Sequence, residues 1–230
     1  MSTLKVSERF YSIQGEGQTI GKRAVFLRLT ACNLLCKSDN WVCDTIEVWK
    51  KGKNIPFDEI LEDYVSLLAR GAHLVITGGE PLLQQDKIWE YLMWFEEKYN
   101  FLPVIEIETN GTIIPKEPLL KLVNYWNCSP KLENSGVKKE KRINVDALIA
   151  ISKHKGSIFK FVVNRRKDIG AILVEFLPHI YNSQVYLMAA GATREELLET
   201  ESIVAELSKE FNWNYSTRMH IHIWDKKTGV

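Results

Sequence analysis

Three of the chain's four cysteines, Cys32, Cys36 and Cys43, fall on one short stretch between Arg28 and Thr45. Three thiolates on one loop can hold a soft metal centre, and three rather than four leave one coordination position open to a ligand that is not protein. A zinc site is one reading, with His73 or His220 completing the tetrahedron, but the C-x3-C-x6-C spacing is unlike the paired C-x2-C knuckles of structural zinc. An iron–sulfur cluster with one free iron fits better, because an exchangeable iron can bind a small chelating ligand while the cluster supplies electrons. Cys128 stands alone and reads as a core residue, and in a reducing cytoplasm no disulfide is expected.

Further polar groups lie at strand ends. Gly78-Gly79-Glu80-Pro81 offers unhindered backbone, a carboxylate and a residue that stops strand pairing, an arrangement that can grip an ammonium or amino-acid group. Its plainer reading is a βα turn. Ser12-Ile13-Gln14-Gly15-Glu16-Gly17 carries two glycines that let backbone approach a ligand, or that simply turn a hairpin. Arg28 interrupts the otherwise apolar Ala24–Leu29, and a cation near the end of a core strand needs an acidic partner or an anionic ligand.

The elements that must position these groups alternate. An extended start over Leu4–Tyr11 precedes a strand at Ala24–Leu29, and helix Phe57–Arg70 then leads to strand His73–Thr77. The same pattern continues through helix Leu82–Tyr99 and strand Val104–Thr109, helix Glu117–Asn124 and strand Tyr125–Cys128, helix Val145–His154 and strand Ser157–Val163. Helix Lys167–Leu177 with strand Gln184–Met188, and helix Arg194–Phe211 with a final strand near Arg218–Trp224, complete it. Thr193 and Glu196 form a capping-box pattern at the last helix.

About six strand-helix units predict an α/β fold with a parallel sheet, either an incomplete barrel or a doubly wound sheet. In both, strand C-termini share one face, and five polar motifs fall there: Arg28 with the cysteine loop, Thr77–Glu80, Glu108–Gly111, Ser129–Lys131 and Met188–Gly191.

A length of 230 residues and the absence of internal repeats or low-complexity linkers predict a single domain. The net charge of +1 gives no basic excess of the kind nucleic-acid binders carry, and Lys131–Arg142, the one locally basic segment, reads mainly as a solvated loop. No apolar run reaches membrane-spanning length and Met1–Val6 lacks the pattern of a secretory signal, so neither nucleic acid nor membrane is expected as a partner and the location expected is cytoplasmic.

Taken together, these motifs resemble the radical S-adenosylmethionine superfamily, through the three cysteines and Gly78-Gly79-Glu80-Pro81. Within it the chain is most similar to the 7-carboxy-7-deazaguanine synthase family. The similarity runs through Phe10–Gly17, Phe26–Leu29, Cys32-Asn33-Leu34, Cys43-Asp44-Thr45, Thr77–Pro81, Glu108–Gly111, Ser129-Pro130-Lys131 and Arg218-Met219-His220, in the family's order. The resemblance implies a modified partial (β/α)6, TIM-like barrel, with an N-terminal substrate-binding extension over about residues 1–22 and a C-terminal strand over about 213–230. It implies a homodimer, and conversion of 6-carboxy-5,6,7,8-tetrahydropterin to 7-carboxy-7-deazaguanine with loss of ammonia, a step toward queuosine and related 7-deazapurines.

By the same resemblance Cys32, Cys36 and Cys43 would hold a [4Fe-4S] cluster. Gly78, Gly79, Glu80, Ser129, Pro130 and Lys131 would contact S-adenosylmethionine. Ile13, Gln14, Gly15, Glu16, Arg28 and Thr77 would bind the pterin, with His220 as a substrate-side or structural residue. Thr45, with Asp44 adjacent, would sit at Mg2+, and a flavodoxin or ferredoxin would donate electrons.

The loop departs from the superfamily's usual C-x3-C-x2-C spacing. Lys37–Val42 intervene, and Val42 stands where an aromatic residue usually contacts adenine, which moves that contact to Trp41 or removes it. Ala189 replaces a proline and Asp225 a glycine found in many relatives. Two alternatives share some features: another enzyme of the superfamily, such as a glycyl-radical activase, leaves Gln14–Gly17 and Arg28 unexplained, and a non-catalytic zinc-binding module leaves the remaining motifs unexplained.

Overall fold

A computed structural model describes residues 2–38, 41–43, 46–227 and 229–230, without the side chains of Trp41 and Val42. The expectations for Asp44, Thr45 and the Trp41 and Val42 side chains lie outside the described residues.

Polar and apolar residues alternate along the strands, and that alternation decides the architecture. In Ile105–Thr109 the two isoleucines are fully buried among helices, while Glu106 and Glu108 point to the opposite face. The strands are β1 (Thr3–Ile13), β2 (Arg23–Leu29), β3 (Lys37–Ser38), β4 (Trp41–Val42), β5 (Lys53–Pro56), β6 (His73–Gly78), β7 (Ile105–Thr109), β8 (Tyr125–Cys128), β9 (Ser157–Val163), β10 (Val185–Ala189) and β11 (Asn214–Ser216). They form a main sheet in the order β11-β10-β9-β8-β7-β6-β2-β1-β5, with β3 and β4 paired separately.

From β2 to β11 every neighbouring pair in the main sheet is parallel, as the strand-helix alternation requires. The extended start is a full strand: β1 runs antiparallel to β2, setting Phe10 opposite Phe26 and Glu8 opposite Arg28. The main core lies between sheet and helices, where helix Gln85–Tyr99 buries Ile88, Leu92 and Phe95. A separate cluster of Ala24, Phe26 and Val75, with Phe10 against it, occupies the inward face.

Three elements differ from the sequence expectation. The helix expected over Phe57–Arg70 breaks into Phe57–Ile60, a turn at Glu62–Tyr64 and Val65–Ala69. Arg9 from β1 donates to the carbonyls of Glu59 and Ile60, the latter at 2.8 Å, taking acceptors that a continuing helix would need. The helix over Lys167–Leu177 forms, with its second half, Ile172–Phe176, wound as a π-helix.

The final strand expected near Arg218–Trp224 is instead the helix Met219–Trp224, preceded by the short edge strand β11. The alternation of Met219, Ile221 and Ile223 suggested a strand. Tertiary contacts override it: Arg194 donates to the carbonyls of His222 and Ile223 at 2.8 and 2.6 Å and so caps the helix, and the Met219 amide donates to the Gly15 carbonyl at 2.9 Å. At the helix Arg194–Glu210 Thr193 accepts from the Glu196 amide, while Glu196 reaches back to Ala192 rather than to the cap residue.

Candidate active site

The strand C-termini surround a cavity of about 530 Å³. Cys32, Cys36 and Cys43 line it with Gly78, Gly79, Ser129 and Lys131, and the same cavity is lined by Ile13, Gln14, Gly15, Glu16, Arg28, Thr77 and His220. Glu80 and Pro130 are not among its lining residues.

The long gap between the second and third cysteines has a simple geometry. β3 and β4 pair antiparallel, Lys37 with Val42 and Ser38 with Trp41, and the Cys43 amide donates to the Cys36 carbonyl at 3.1 Å. The arms Lys37–Ser38 and Trp41–Val42 therefore run beside each other, and Cys36 and Cys43 end as cross-strand neighbours. Cys32 receives the Leu34 amide at 3.4 Å and the Asn110 side-chain amide at 3.9 Å, donors of the kind that support a sulfur ligand. Burial pushes the Cys32 thiol up, opposed by the Leu34 amide and reinforced by Glu80 and Cys43. A bound cation reverses that preference, because coordination deprotonates a thiol.

Among the described residues no three His, Cys, Asp or Glu side chains converge as donors to one metal ion. Three cysteines on separate irons of a cluster need no such convergence, so this donor set and its sulfur-directed amides fit a cluster better than zinc. His73, one of the two histidines considered for zinc, contacts Glu106 at 2.5 Å instead. Cys128 is fully buried, as a core residue should be, and burial holds its thiol well above the ordinary range.

Glu80 lies beneath the cluster-side wall with no exposed surface. Its carboxylate accepts from the Leu82 amide at 3.0 Å, Thr109 Oγ1 at 2.8 Å and the Asn110 amide at 2.7 Å, and so ties the turn after β6 to the end of β7. Burial pushes its carboxyl up to about 7 against those hydrogen bonds. Gly79 runs so close to the cysteine loop that an added Cβ would sit 2.2 Å from the Ala31 carbonyl oxygen and 2.6 Å from Cys32 Cβ.

Most of the residues expected to bind substrate are held by charged side chains from elsewhere in the chain. Arg28 Nε donates to Glu8 at 2.7 Å, supplying the acidic partner that a cation in this strand requires. Gln14 and Thr77 both donate to Glu108, at 3.2 and 2.9 Å. Glu16 pairs with Lys160 and with Arg218, the latter at 3.0 Å. Burial alone would raise the Glu16 carboxyl, but Lys160, Arg218 and His220 hold it well below the usual carboxylate range. His220 packs against Gly15 so closely that a Cβ there would stand 2.2 Å from its Nδ1.

Glu8 and Lys160 are not singled out by the sequence, and Glu108 and Arg218 only as parts of motifs. For Lys160 and Glu108 the available signal is a charge within a largely buried strand, Lys160 in Ser157–Val163 and Glu108 two positions after Glu106.

A family model described as a 4Fe-4S single cluster domain matches residues 13–143. The 7-carboxy-7-deazaguanine synthase of Halobacterium salinarum is 31% identical over an alignment covering 96% of this chain and 91% of that protein. The chain belongs to the 7-carboxy-7-deazaguanine synthase family. The family member from Pyrobaculum aerophilum is also 31% identical, with 98% of this chain and 97% of that protein aligned. A crystal structure of QueE from Escherichia coli superposes with a TM-score of 0.70 over 96% of both chains at 23% identity, and so shares the radical-SAM, TIM-like fold. The family fits a cavity lined by the cysteines together with Gln14, Arg28 and Thr77.

Proposed function

We propose that this chain converts 6-carboxy-5,6,7,8-tetrahydropterin to 7-carboxy-7-deazaguanine with release of ammonia. The observation that carries the reading is that one cavity is lined by the three cysteines and the Gly78–Gly79 turn together with Gln14, Arg28 and Thr77. A zinc module has no use for the latter three residues.

In this reading Cys32, Cys36 and Cys43 hold three irons of a [4Fe-4S] cluster. Gly78, Gly79, Ser129 and Lys131 frame S-adenosylmethionine, while Glu80 acts from beneath by fixing the turn that carries Gly79. When bound, the reduced cluster, S-adenosylmethionine and magnesium supply the radical and Lewis-acid chemistry. Arg28, oriented by Glu8 at its Nε, has terminal nitrogens suited to a substrate carboxylate. Glu108 sets the Gln14 amide and the Thr77 hydroxyl in place. The same reading includes a homodimer in the cytoplasm and a flavodoxin or ferredoxin as electron donor. Among the described residues no helix is long and apolar enough to cross a membrane.

The test is anaerobic reconstitution followed by product analysis with the carboxytetrahydropterin, S-adenosylmethionine, magnesium and reductant. Formation of 7-carboxy-7-deazaguanine is expected, and Cys36→Ala should lose both cluster and product. Protein that carries an intact cluster and cleaves S-adenosylmethionine without making the deazaguanine refutes the substrate assignment.

A further inference from the structure

Glu106, on the same face of β7 as Glu108, has no exposed surface. Its Oε2 accepts from Thr19 Oγ1 at 2.7 Å and Asn127 Nδ2 at 3.0 Å, and its Oε1 lies 2.5 Å from His73 Nδ1. Glu106 itself lies on β7, and its partners come from three other places in the chain: β6, β8 and the short 3-10 turn Gly17–Thr19. Only Thr19 belongs to the loop that carries Gln14–Gly17, so its hydroxyl is the loop's link to this buried carboxylate.

A carboxylate in such a position is costly unless its oxygens are satisfied, and the energetic demand falls on whichever partner is free to move. β6, β7 and β8 are neighbours in one ladder. The turn at Gly17–Thr19 lies outside the strands and is therefore the part that the carboxylate holds. Asn127 packs beside the turn: its Nδ2 is committed to Glu106, and its buried Oδ1, which makes no hydrogen bond, would lie 3.3 Å from a Cβ added at Gly17. Glu16 and Gly15, three and four residues before Thr19, meet Arg218 and His220.

We propose that Glu106 and Thr19 are positioning residues that set the Gln14–Gly17 loop for substrate recognition from beneath the cavity. They touch neither the cluster cysteines nor the cavity, and act by limiting the places the loop can occupy. The inference rests on the assignment of that loop to the pterin side.

Thr19→Val removes the hydroxyl while keeping the shape of the side chain, and Thr19→Ser keeps the hydroxyl. In reconstituted protein Thr19→Val is expected to raise KM for the carboxytetrahydropterin about tenfold with kcat within about twofold, the size expected for one lost hydrogen bond to a charged group. Thr19→Ser should restore KM, and iron content should equal the wild type in both. Hydrogen exchange of amides 14–22, measured without substrate, should quicken about tenfold in Thr19→Val while amides 73–78 keep their protection. Unchanged exchange in the loop overturns the inference whatever the substrate is, and so does a fall in kcat with KM unmoved. If wild-type protein makes no deazaguanine product, the substrate assignment fails and loop exchange alone decides the inference.

Discussion

Replacing Gly79 with alanine tests how the cysteine loop is held. The added methyl would lie 2.2 Å from the Ala31 carbonyl oxygen and 2.6 Å from Cys32 Cβ, inside any normal contact, and the nearest obstacle is backbone that cannot rotate away. That same carbonyl accepts the Glu80 amide at 2.9 Å, so relieving the clash also stretches this hydrogen bond. Overpacking of this kind costs about 1–3 kcal/mol and the lost hydrogen bond about 1 kcal/mol more, or about 2–4 kcal/mol in all. For a chain of this size that lowers Tm by about 4–8 °C, at about 2 °C per kcal/mol. Because Cys32 moves with Ala31, iron bound per chain after anaerobic reconstitution should fall as well. Gly170→Ala is the control, since an added Cβ there meets nothing within 4 Å. Its Tm should hold or rise slightly, as expected for alanine in a helix. Gly79→Ala protein with the wild-type Tm and full iron content would refute the close-approach argument.

Two electrostatic predictions follow from the buried carboxylates. Burial raises the Glu80 carboxyl from an ordinary 4.5 to about 7, so between those values the folded protein holds a proton that the unfolded chain has released. Stability of the metal-free protein should therefore fall as pH rises from 4.5 to about 7 and then level, and Glu80→Gln should flatten that part of the urea-midpoint profile; an equal slope in both proteins would exclude Glu80 as its source. Lys160→Met leaves the Glu16 carboxylate with Arg218 and removes its other salt-bridged cation, at a cost of up to about 3 kcal/mol near neutral pH. Because the Glu16 carboxyl is depressed in the folded protein, that difference should shrink as pH falls below 4.5; a difference undiminished in acid would assign the loss to packing instead.

The strand-helix order was legible because apolar periodicity is a local property, and the parallel sheet from β2 to β11 follows it. The cysteine loop and the glycine-rich turn were legible because their residue types are rare at such spacing. What local pattern misses is a partner contributed from far along the chain. Arg9 ends a helix about fifty residues away, and Arg194 caps a segment whose alternation alone suggests a strand. Glu16 was recognisable as part of a loop, but its pairing with Lys160 and Arg218 joins positions separated by 144 and 202 residues. Glu80 was recognisable as a carboxylate near the cofactor side, yet only the folded chain turns it inward to the β7 end.

The altered cysteine spacing is the clearest case in which topology preserves chemistry that a linear motif would reject. An antiparallel pair of strands adds residues on both arms and brings the ends back together, so its length can change without separating the residues at its base. Cys36 and Cys43 occupy that base, and the amide of one meets the carbonyl of the other. The cost of the longer arm is that it needs support. Gly136 supplies it, approaching Lys37 so closely that a Cβ would sit 2.1 Å from the Lys37 carbonyl oxygen. The basic segment after β8 thus has a structural task beside the cluster loop. Spacing between the second and third ligands is therefore a weaker criterion for a cluster site than whether the chain between them can return to its starting point.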